Sequence, residues 1–198
     1  MDTMPASQKT ILLPIADGFE EMEFIAIADI LRRANIEVII AGIEGKRPYK
    51  GAHDIEIIAP KSIALSAQEI STLDGIALAG GYEGMQNLKK SQKVLTLLQT
   101  LHLHSKLISA ICASPIVLDS AGVLFGDFTC YPGCEQNLTG TYKQASVVRH
   151  DNLITASGPA TAQLFALEIV QYLLGQDIAK SIGDALLMPL QTEPIILR

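Results

Sequence analysis

The sequence predicts a three-layer α/β sandwich around a mostly parallel sheet, on three observations. Apolar runs of strand length recur at 9–15, 37–41, 74–79 and 107–111, as expected of strands buried on both faces. Amphipathic helical stretches separate most of them, and parallel strands need such crossovers, which are right-handed within one sheet. The chain has 198 residues, 48% apolar and 18% charged, enough for one sizeable core. No linker, internal repeat or low-complexity segment divides it. Residues 1–8 are polar and read as a flexible tail, and residues 9–198 as a single domain.

Residues 9–15 form the first strand, broken at Asp17-Gly18. Phe24, Ile27, Ala28 and Leu31 make a helical stripe over 20–34, and Glu20, Glu21 and Glu23 suit its N-terminus. A second strand follows at 37–41. Residues 45–51 are a polar, turn-rich connection, and the alternation over 53–58 suggests an accessory strand or hairpin arm. The strand at 74–79 ends in Gly80-Gly81. Val94, Leu97, Leu98 and Leu101 stripe a helix over 94–103, and residues 107–111 form the next strand. Ala113 to Ala121 reads as a helix with Pro115 in its first turn. Asp151-Asn152 between two short apolar runs is a tight hairpin turn. Residues 160–174 form a strongly apolar helix stopped by Gly175, and 176–187 a last one.

Composition excludes several classes of partner. The net charge is −6 with no basic block, so nucleic acid and anionic membrane surfaces are poor partners. No apolar run spans a membrane, and the first residues lack the apolar core of a signal peptide. The cysteines are Cys112, Cys130 and Cys134. An odd number without an export signal argues for reduced thiols and a cytoplasmic location. Cys130 and Cys134 lack the companions of a zinc site, so no metal is expected.

In open α/β sheets the site lies beyond the carboxyl ends of the strands. Three features fall there: 17–23, Gly80 to Gly84, and Cys112. Cys112 sits at a sharp strand-to-helix joint, as in a nucleophile elbow. The N–H groups of the next helix would favour its thiolate; taken alone, Cys112 also reads as a buried structural cysteine. The glycines of Gly80-Gly81-Tyr82-Glu83-Gly84 read alone as a tight turn. Beside a thiolate they supply half of an oxyanion hole, with the Ala113 N–H as the other half. No Gly-x-Gly-x-x-Gly or P-loop pattern indicates a nucleotide. One of the three glutamates can face the sulfur with a raised pKa, and spacing does not choose among them. A Cys–His pair is open only through His53 or another histidine brought close in space.

The segments Ile108-Ser-Ala-Ile-Cys-Ala-Ser-Pro115, Gly18-Phe-Glu-Glu-Met-Glu-Phe24, Ala79-Gly-Gly-Tyr82 and Ser157-Gly-Pro-Ala160 resemble the DJ-one/ThiJ/PfpI superfamily, in its DJ-one-like branch. The resemblance runs from about Lys9 to about Pro189. It implies a flavodoxin-like sandwich and a homodimer. It makes Cys112 the oxidation-sensitive cysteine and Glu23 its protonated partner, with Gly81 and Ala113 as N–H donors near the sulfur. Tyr131 stands where a histidine neighbours the cysteine in DJ-one, and Ser157 where DJ-one has an arginine. Ser114 adds a hydroxyl near the pocket, and Cys112-Ala113 replaces the Cys-His of the protease-like branch. The implied activity is a cofactor-free glyoxalase or deglycase acting on methylglyoxal-type dicarbonyls or glycated protein. The alternatives are a redox-sensing or chaperone-like protein with an oxidisable Cys112 and, last, a cysteine peptidase.

Overall fold

The computed structural model describes residues 8–188 and the strand at 196–197. The expected tail therefore lies outside the described residues except for Gln8, whose side chain donates to Asn35 O at 3.1 Å. The strands are β1 (Thr10–Ile15), β2 (Glu37–Gly42), β3 (Pro48–Lys50), β4 (Glu56–Ile58), β5 (Lys61–Ser62), β6 (Gly75–Leu78), β7 (Leu107–Ile111), β8 (Asp127–Phe128), β9 (Thr141–Tyr142), β10 (Val147–His150), β11 (Leu153–Ala156) and β12 (Ile196–Leu197). The helices are α1 (Glu21–Arg33), α2 (Ala67–Thr72), α3 (Tyr82–Lys90), α4 (Gln92–Leu103), α5 (Pro115–Ser120), α6 (Ala162–Leu174) and α7 (Gln176–Ala185).

The main sheet has eight strands in the order β12-β10-β11-β7-β6-β1-β2-β5. Every pair in it is parallel except the β10–β11 hairpin, whose register pairs His150 with Leu153 across the two-residue turn. β1, β6 and β7 lie at its centre, and every residue in them is buried, which is why they read as unbroken apolar runs. Pro14 is tolerated in β1 because the pairing with β6 ends at Leu12, so no ladder bond on that side is lost there. Helices α1, α6 and α7 pack together, as do α3, α4 and α5, giving the layers on either face. The chain runs outward from β1 to β2 and returns to β6 on the other side of β1. That reversal puts a crevice at the carboxyl ends of β1, β6 and β7.

The structure adds elements that the sequence pattern does not signal. The glycine turn at 80–81 leads straight into helix α3, which opens at Tyr82 with Gly81 as its N-cap. Its Gly84 packs on the chain at Gly18-Phe19, where an added Cβ would come within 2.8 Å of Gly18 O. The polar connection at 45–51 contains β3, which forms an antiparallel hairpin with β4. Asp17 anchors that hairpin: its carboxylate pairs with Arg47 at 2.7 Å and accepts from Lys50 N–H at 2.9 Å.

One ion pair ties the hairpin edge to the helical layer. Arg149 on β10 meets Glu168 on α6 at 2.7 Å, and Glu168 is only 1% exposed. Burial pushes the Glu168 carboxyl up, and the Arg149 guanidinium draws it back. Its Oε2 has no hydrogen-bond partner. Arg149→Met should therefore cost about 3 kcal/mol, since it strands a buried charge. Glu168→Gln added to Arg149→Met should recover much of that loss. Urea denaturation midpoints at equal slope check both expectations.

Candidate active site

Cys112 directly follows β7 with φ at +63°, in the left-handed region where a side chain is strained. The surrounding bonds hold it there. Its N–H donates to Ala156 O at 2.9 Å, its carbonyl accepts from Tyr131 N–H at 2.8 Å, and Ser114 N–H donates to Ile111 O at 3.1 Å. The Ser114 hydroxyl donates to Ala79 O at 2.6 Å. Its proton is thus committed to joining the elbow to the end of β6 and is not offered to a pocket.

Glu23 reaches the same point from the first turn of α1. It is fully buried, and its N–H donates to Oε2 of Glu20, the residue that caps the helix, at 2.7 Å. Gly80 joins the two elements. Its N–H donates to Glu23 Oε2 at 2.6 Å, and its carbonyl accepts from Glu20 N–H at 3.0 Å. A Cβ on Gly80 would lie 2.6 Å from Cys112 Cβ, 2.6 Å from Glu23 Oε2 and 3.1 Å from Cys112 Sγ. Only a glycine lets the thiol and the carboxyl close on this spot. The second oxygen, Glu23 Oε1, is buried without a hydrogen-bond partner.

The backbone N–H groups of Gly81 and Ala113 lie close enough to the sulfur to draw its pKa down, where a developing negative charge needs donors. Gly81 is left-handed at φ +90°, and a Cβ there would collide with Gly18 O. Tyr131 and Ser157 stand one step further out. Tyr131 is joined to Cys112 through its backbone, and its half-exposed ring packs beside Gly158. Ser157 Oγ lies 3.5 Å from Thr161 Oγ1.

The electrostatics depart from the sequence expectation. Helix α5 begins at Pro115 and has six residues, so the expected helix over 113–121 is shorter and starts two residues later. The Ala113 N–H that reaches the sulfur belongs to the turn before it. Burial and the charge of Glu23 push the Cys112 thiol up to about 12, against the pull of the two N–H donors. The helix end therefore does not make a ready thiolate. Burial likewise pushes Glu23 up to about 7, with the Glu20 charge adding to it and bonds to Gly80 and Cys112 opposing. Because the two groups interact, they titrate as a pair, and the carboxyl gives up its proton well before the thiol. Once that first proton has left, the pair carries one negative charge and one movable proton.

The histidines are engaged elsewhere. His53 Nδ1 pairs with Glu21 at 2.7 Å, and His104 Nδ1 meets Thr100 O at 2.8 Å. His102 and His150 both pack on the Phe125 ring. The route from Cys112 to an imidazole through His53 is closed by Glu21. Sequence reasoning named Glu20, Ser114 and the stretch around Gly18 but not their roles: Glu20 as cap and neighbouring charge, Ser114 as a tie, and Gly18 as a packing point, whose carbonyl accepts from Gly84 N–H at 3.0 Å. Glutamate is not among the favoured capping residues, so no local signal marked Glu20 as the cap.

The structure thus brings an elbow cysteine, a buried glutamate and a glycine together where the carboxyl ends of β7 and β6 meet the head of α1. Residues 9–172 match the DJ-1/PfpI family. The chain belongs to that family. Within it, the chain is 39% identical to Protein dj-1beta of Drosophila melanogaster over 184 residues, 91% of this chain and 97% of that one. A crystal structure of Drosophila DJ-1beta superposes with a TM-score of 0.86, covering 92% of this chain and all of that one. The chain is 37% identical to the glutathione-independent glyoxalase DJR-1.2 of Caenorhabditis elegans, over 89% of this chain and 95% of the relative. It is 30% identical to the glutathione-independent glyoxalase DJ-1 of Schizosaccharomyces pombe, over 90% and 98%. The DJ-1/PfpI fold is thus the flavodoxin-like sandwich expected from the sequence. Among the described residues no helix is long and apolar enough to cross a membrane.

Thiol mapping checks the assignment of the nucleophile in this DJ-1/PfpI member. Cys112 alone of the three has both N–H donors and a carboxyl against its sulfur. Above pH 7 it should gain reactivity toward peroxide ahead of buried Cys130, and peptide mapping of the oxidised protein reads this directly. Oxidation of Cys130 first would remove the elbow's special standing.

Proposed function

We propose that the protein is a cysteine-dependent glyoxalase acting on small dicarbonyls such as methylglyoxal. The observation that carries this reading is the Cys112–Glu23 pair closed over Gly80. Two relatives described as glutathione-independent glyoxalases support it. In the active form of the pair the sulfur is the thiolate and Glu23 holds the proton. The thiolate adds to the aldehyde carbon, and Glu23 protonates the resulting oxygen, giving a hemithioacetal. Glu23, now a carboxylate, takes the hydrogen from that carbon as a proton and returns it to the adjacent carbon. The proton on the hemithioacetal oxygen passes to the former ketone oxygen, so that carbon now bears the hydroxyl and the sulfur carries an acyl group. Water releases lactate and restores the thiol. The N–H groups of Gly81 and Ala113 stabilise oxygen or sulfur charge as it develops. No cofactor enters the scheme. The substrate class extends to early adducts of such dicarbonyls on protein, the deglycase reaction.

The test is methylglyoxal turnover by the purified protein, without glutathione and with a chelator present. Lactate should form. Absence of lactate, with Cys112 sulfinate accumulating under peroxide, would replace this reading with a redox-sensing one. The rate should also depend on pH in a definite direction. Below about 7 the pair is fully protonated and no thiolate exists, so kcat/KM should rise with pH through about 7. A flat profile between pH 5 and 9 would remove the pair from the chemistry. Proteolysis has no imidazole base within the site.

The protein also acts, in this reading, in the cytoplasm as a homodimer. The sequence points to the stretch around Phe24 to Ile27 as the contact, but Phe24 and Ile27 are wholly buried in the protomer's own core. The exposed apolar residues of α1 are Met22 and Ile25, at 64% and 51% exposure. They take the place of that contact, together with exposed Ile55 and Ile58 of the adjoining hairpin. The other expected contributor, the apolar stretch 194–197, lies outside the described residues apart from the strand at 196–197. Light scattering should give twice the protomer mass for the wild type and a single protomer for Ile25→Glu. A wild-type monomer at micromolar concentration removes the dimer.

A further inference from the structure

We propose that Glu20 is a positioning residue for the Cys112–Glu23 pair: it orients Glu23 at the head of α1, and its negative charge biases the pair's movable proton toward Glu23 and so toward the thiolate. Its side chain is buried. Glu20 Oε2 accepts from Glu23 N–H at 2.7 Å, and Glu20 N–H donates to Gly80 O at 3.0 Å. Gly80 N–H in turn donates to Glu23 Oε2 at 2.6 Å. Glu20 thus fixes both the backbone that carries the acid and the glycine over which acid and thiol close. With Oε2 taken by the Gly80 N–H, a proton on the Glu23 carboxyl belongs on Oε1, which has no such donor of its own among the described residues.

Capping alone does not account for a glutamate here. Ser, Thr, Asp or Asn would cap the helix better, and local rules are broken chiefly at functional sites. What Glu20 adds is a buried negative charge, and a like charge disfavours ionisation of its neighbour. That charge acts on Glu23, while the groups that set the thiol are Glu23 and the Gly81 and Ala113 N–H donors. It therefore costs the form in which Glu23 is ionised and spares the form in which the sulfur is. Other charged groups come from the elements packed on the head of α1. Glu21 and His53 pair with each other at 2.7 Å, and Glu83 of α3 packs on Gly18. His53 also feels the Glu20 charge, and its protonated form opposes Glu20 at low pH.

The consequence separates charge from scaffold. Below about 7 the pair is fully protonated, and forming the thiolate there leaves the carboxyl unchanged. Removing the Glu20 charge should not alter that step. Above about 7 the carboxylate form gains ground, and the thiolate form loses by the same factor. The catalytic meaning of this rests on the dicarbonyl chemistry proposed above, but alkylation of the sulfur reads it without any turnover.

Iodoacetamide modification of the full chain, followed at Cys112 by peptide mapping from pH 5 to 9, tests this. Glu20→Gln keeps the length and an oxygen for the Glu23 N–H but carries no charge. Its rate should match wild type at pH 5 and fall to about a third of wild type at pH 9, with the midpoint about half a unit lower. Glu20→Ser, a good cap without charge, should follow Glu20→Gln, and circular dichroism checks that both are folded. Glu20→Asp keeps a cap and a charge and should restore the wild-type profile. A wild-type profile in both uncharged variants overturns the proposal. So does a loss equal at every pH, which is what a purely structural residue gives. Lactate formation is scored separately. Its absence in wild type removes the glyoxalase reading, and the alkylation profile still decides the role of Glu20.

Discussion

Serine in place of Cys112 should leave lactate formation at background while the fold survives. The oxygen of serine keeps its proton far more tightly than sulfur does, and the neighbouring group that must take that proton is a carboxyl titrating near 7. A carboxylate of that strength cannot generate an alkoxide to a useful extent, whereas it can share a proton with a thiol. The elbow itself should be indifferent to the change. Its strain is held by backbone bonds from residues 112, 114 and 131 and by the Ser114 hydroxyl, none of which uses the sulfur. The expected loss is at least about four orders of magnitude in kcat, as for removal of a nucleophile elsewhere. A coupled lactate assay, with circular dichroism as the folding check, reads it. Turnover within tenfold of wild type would take the sulfur out of the reaction.

Glu23→Gln should lose turnover and gain stability at the same time. Glutamine keeps an acceptor for the Gly80 N–H but can neither take a proton from carbon nor return one. The loss should be on the order of a hundredfold or more, the usual worth of a general acid–base. The gain follows from linkage. A carboxyl raised in the folded state from 4.5 to about 7 binds its proton more tightly folded than unfolded. Stability from that group is present at low pH and is lost as pH rises from 4.5 to about 7, by about 3 kcal/mol in all. Glutamine does not ionise and escapes that loss. At pH 8 the variant should therefore unfold at higher urea than wild type, and at pH 4 the difference should vanish. Full activity in Glu23→Gln would end its catalytic role. An unchanged pH dependence of stability would mean that the carboxyl is not held at a raised pKa.

The layers of this fold were legible in the sequence because its central strands are buried on both faces. The runs at 9–15, 37–41, 74–79 and 107–111 have no alternating polar residue to blur them, and each is a strand within a residue or so of the expected limits. Helix α3 was not legible, because Gly81 precedes it as its N-cap, Gly84 in its first turn is placed for close packing on Gly18, and its apolar stripe is short. β3, β5, β8 and β9 are two or three residues long and have no periodicity to detect. The site divided along the same line. Cys112 and the glycines after β6 announced themselves by standing at strand ends. Which glutamate faces the sulfur depends on the rotation of α1 about its axis, and residue-level spacing left that open; the motif resemblance supplied Glu23. Glu23 is raised as expected, but the thiol went the other way from expectation, because burial outweighs a helix end of six residues.

Gly80 couples the histories of three positions. Any side chain there would occupy the space that Cys112 and Glu23 now share, so a lineage cannot alter residue 80 and keep the pair intact. A side chain at 80 should therefore not be found in a member that keeps both the thiol and the carboxyl in contact. A relative with alanine or larger at the position of Gly80 has given up the thiol–carboxyl contact, whatever residues remain at the other two. The smallest residue of the site thus marks, by its loss, members that have given up this contact, and it does so without a measurement of activity.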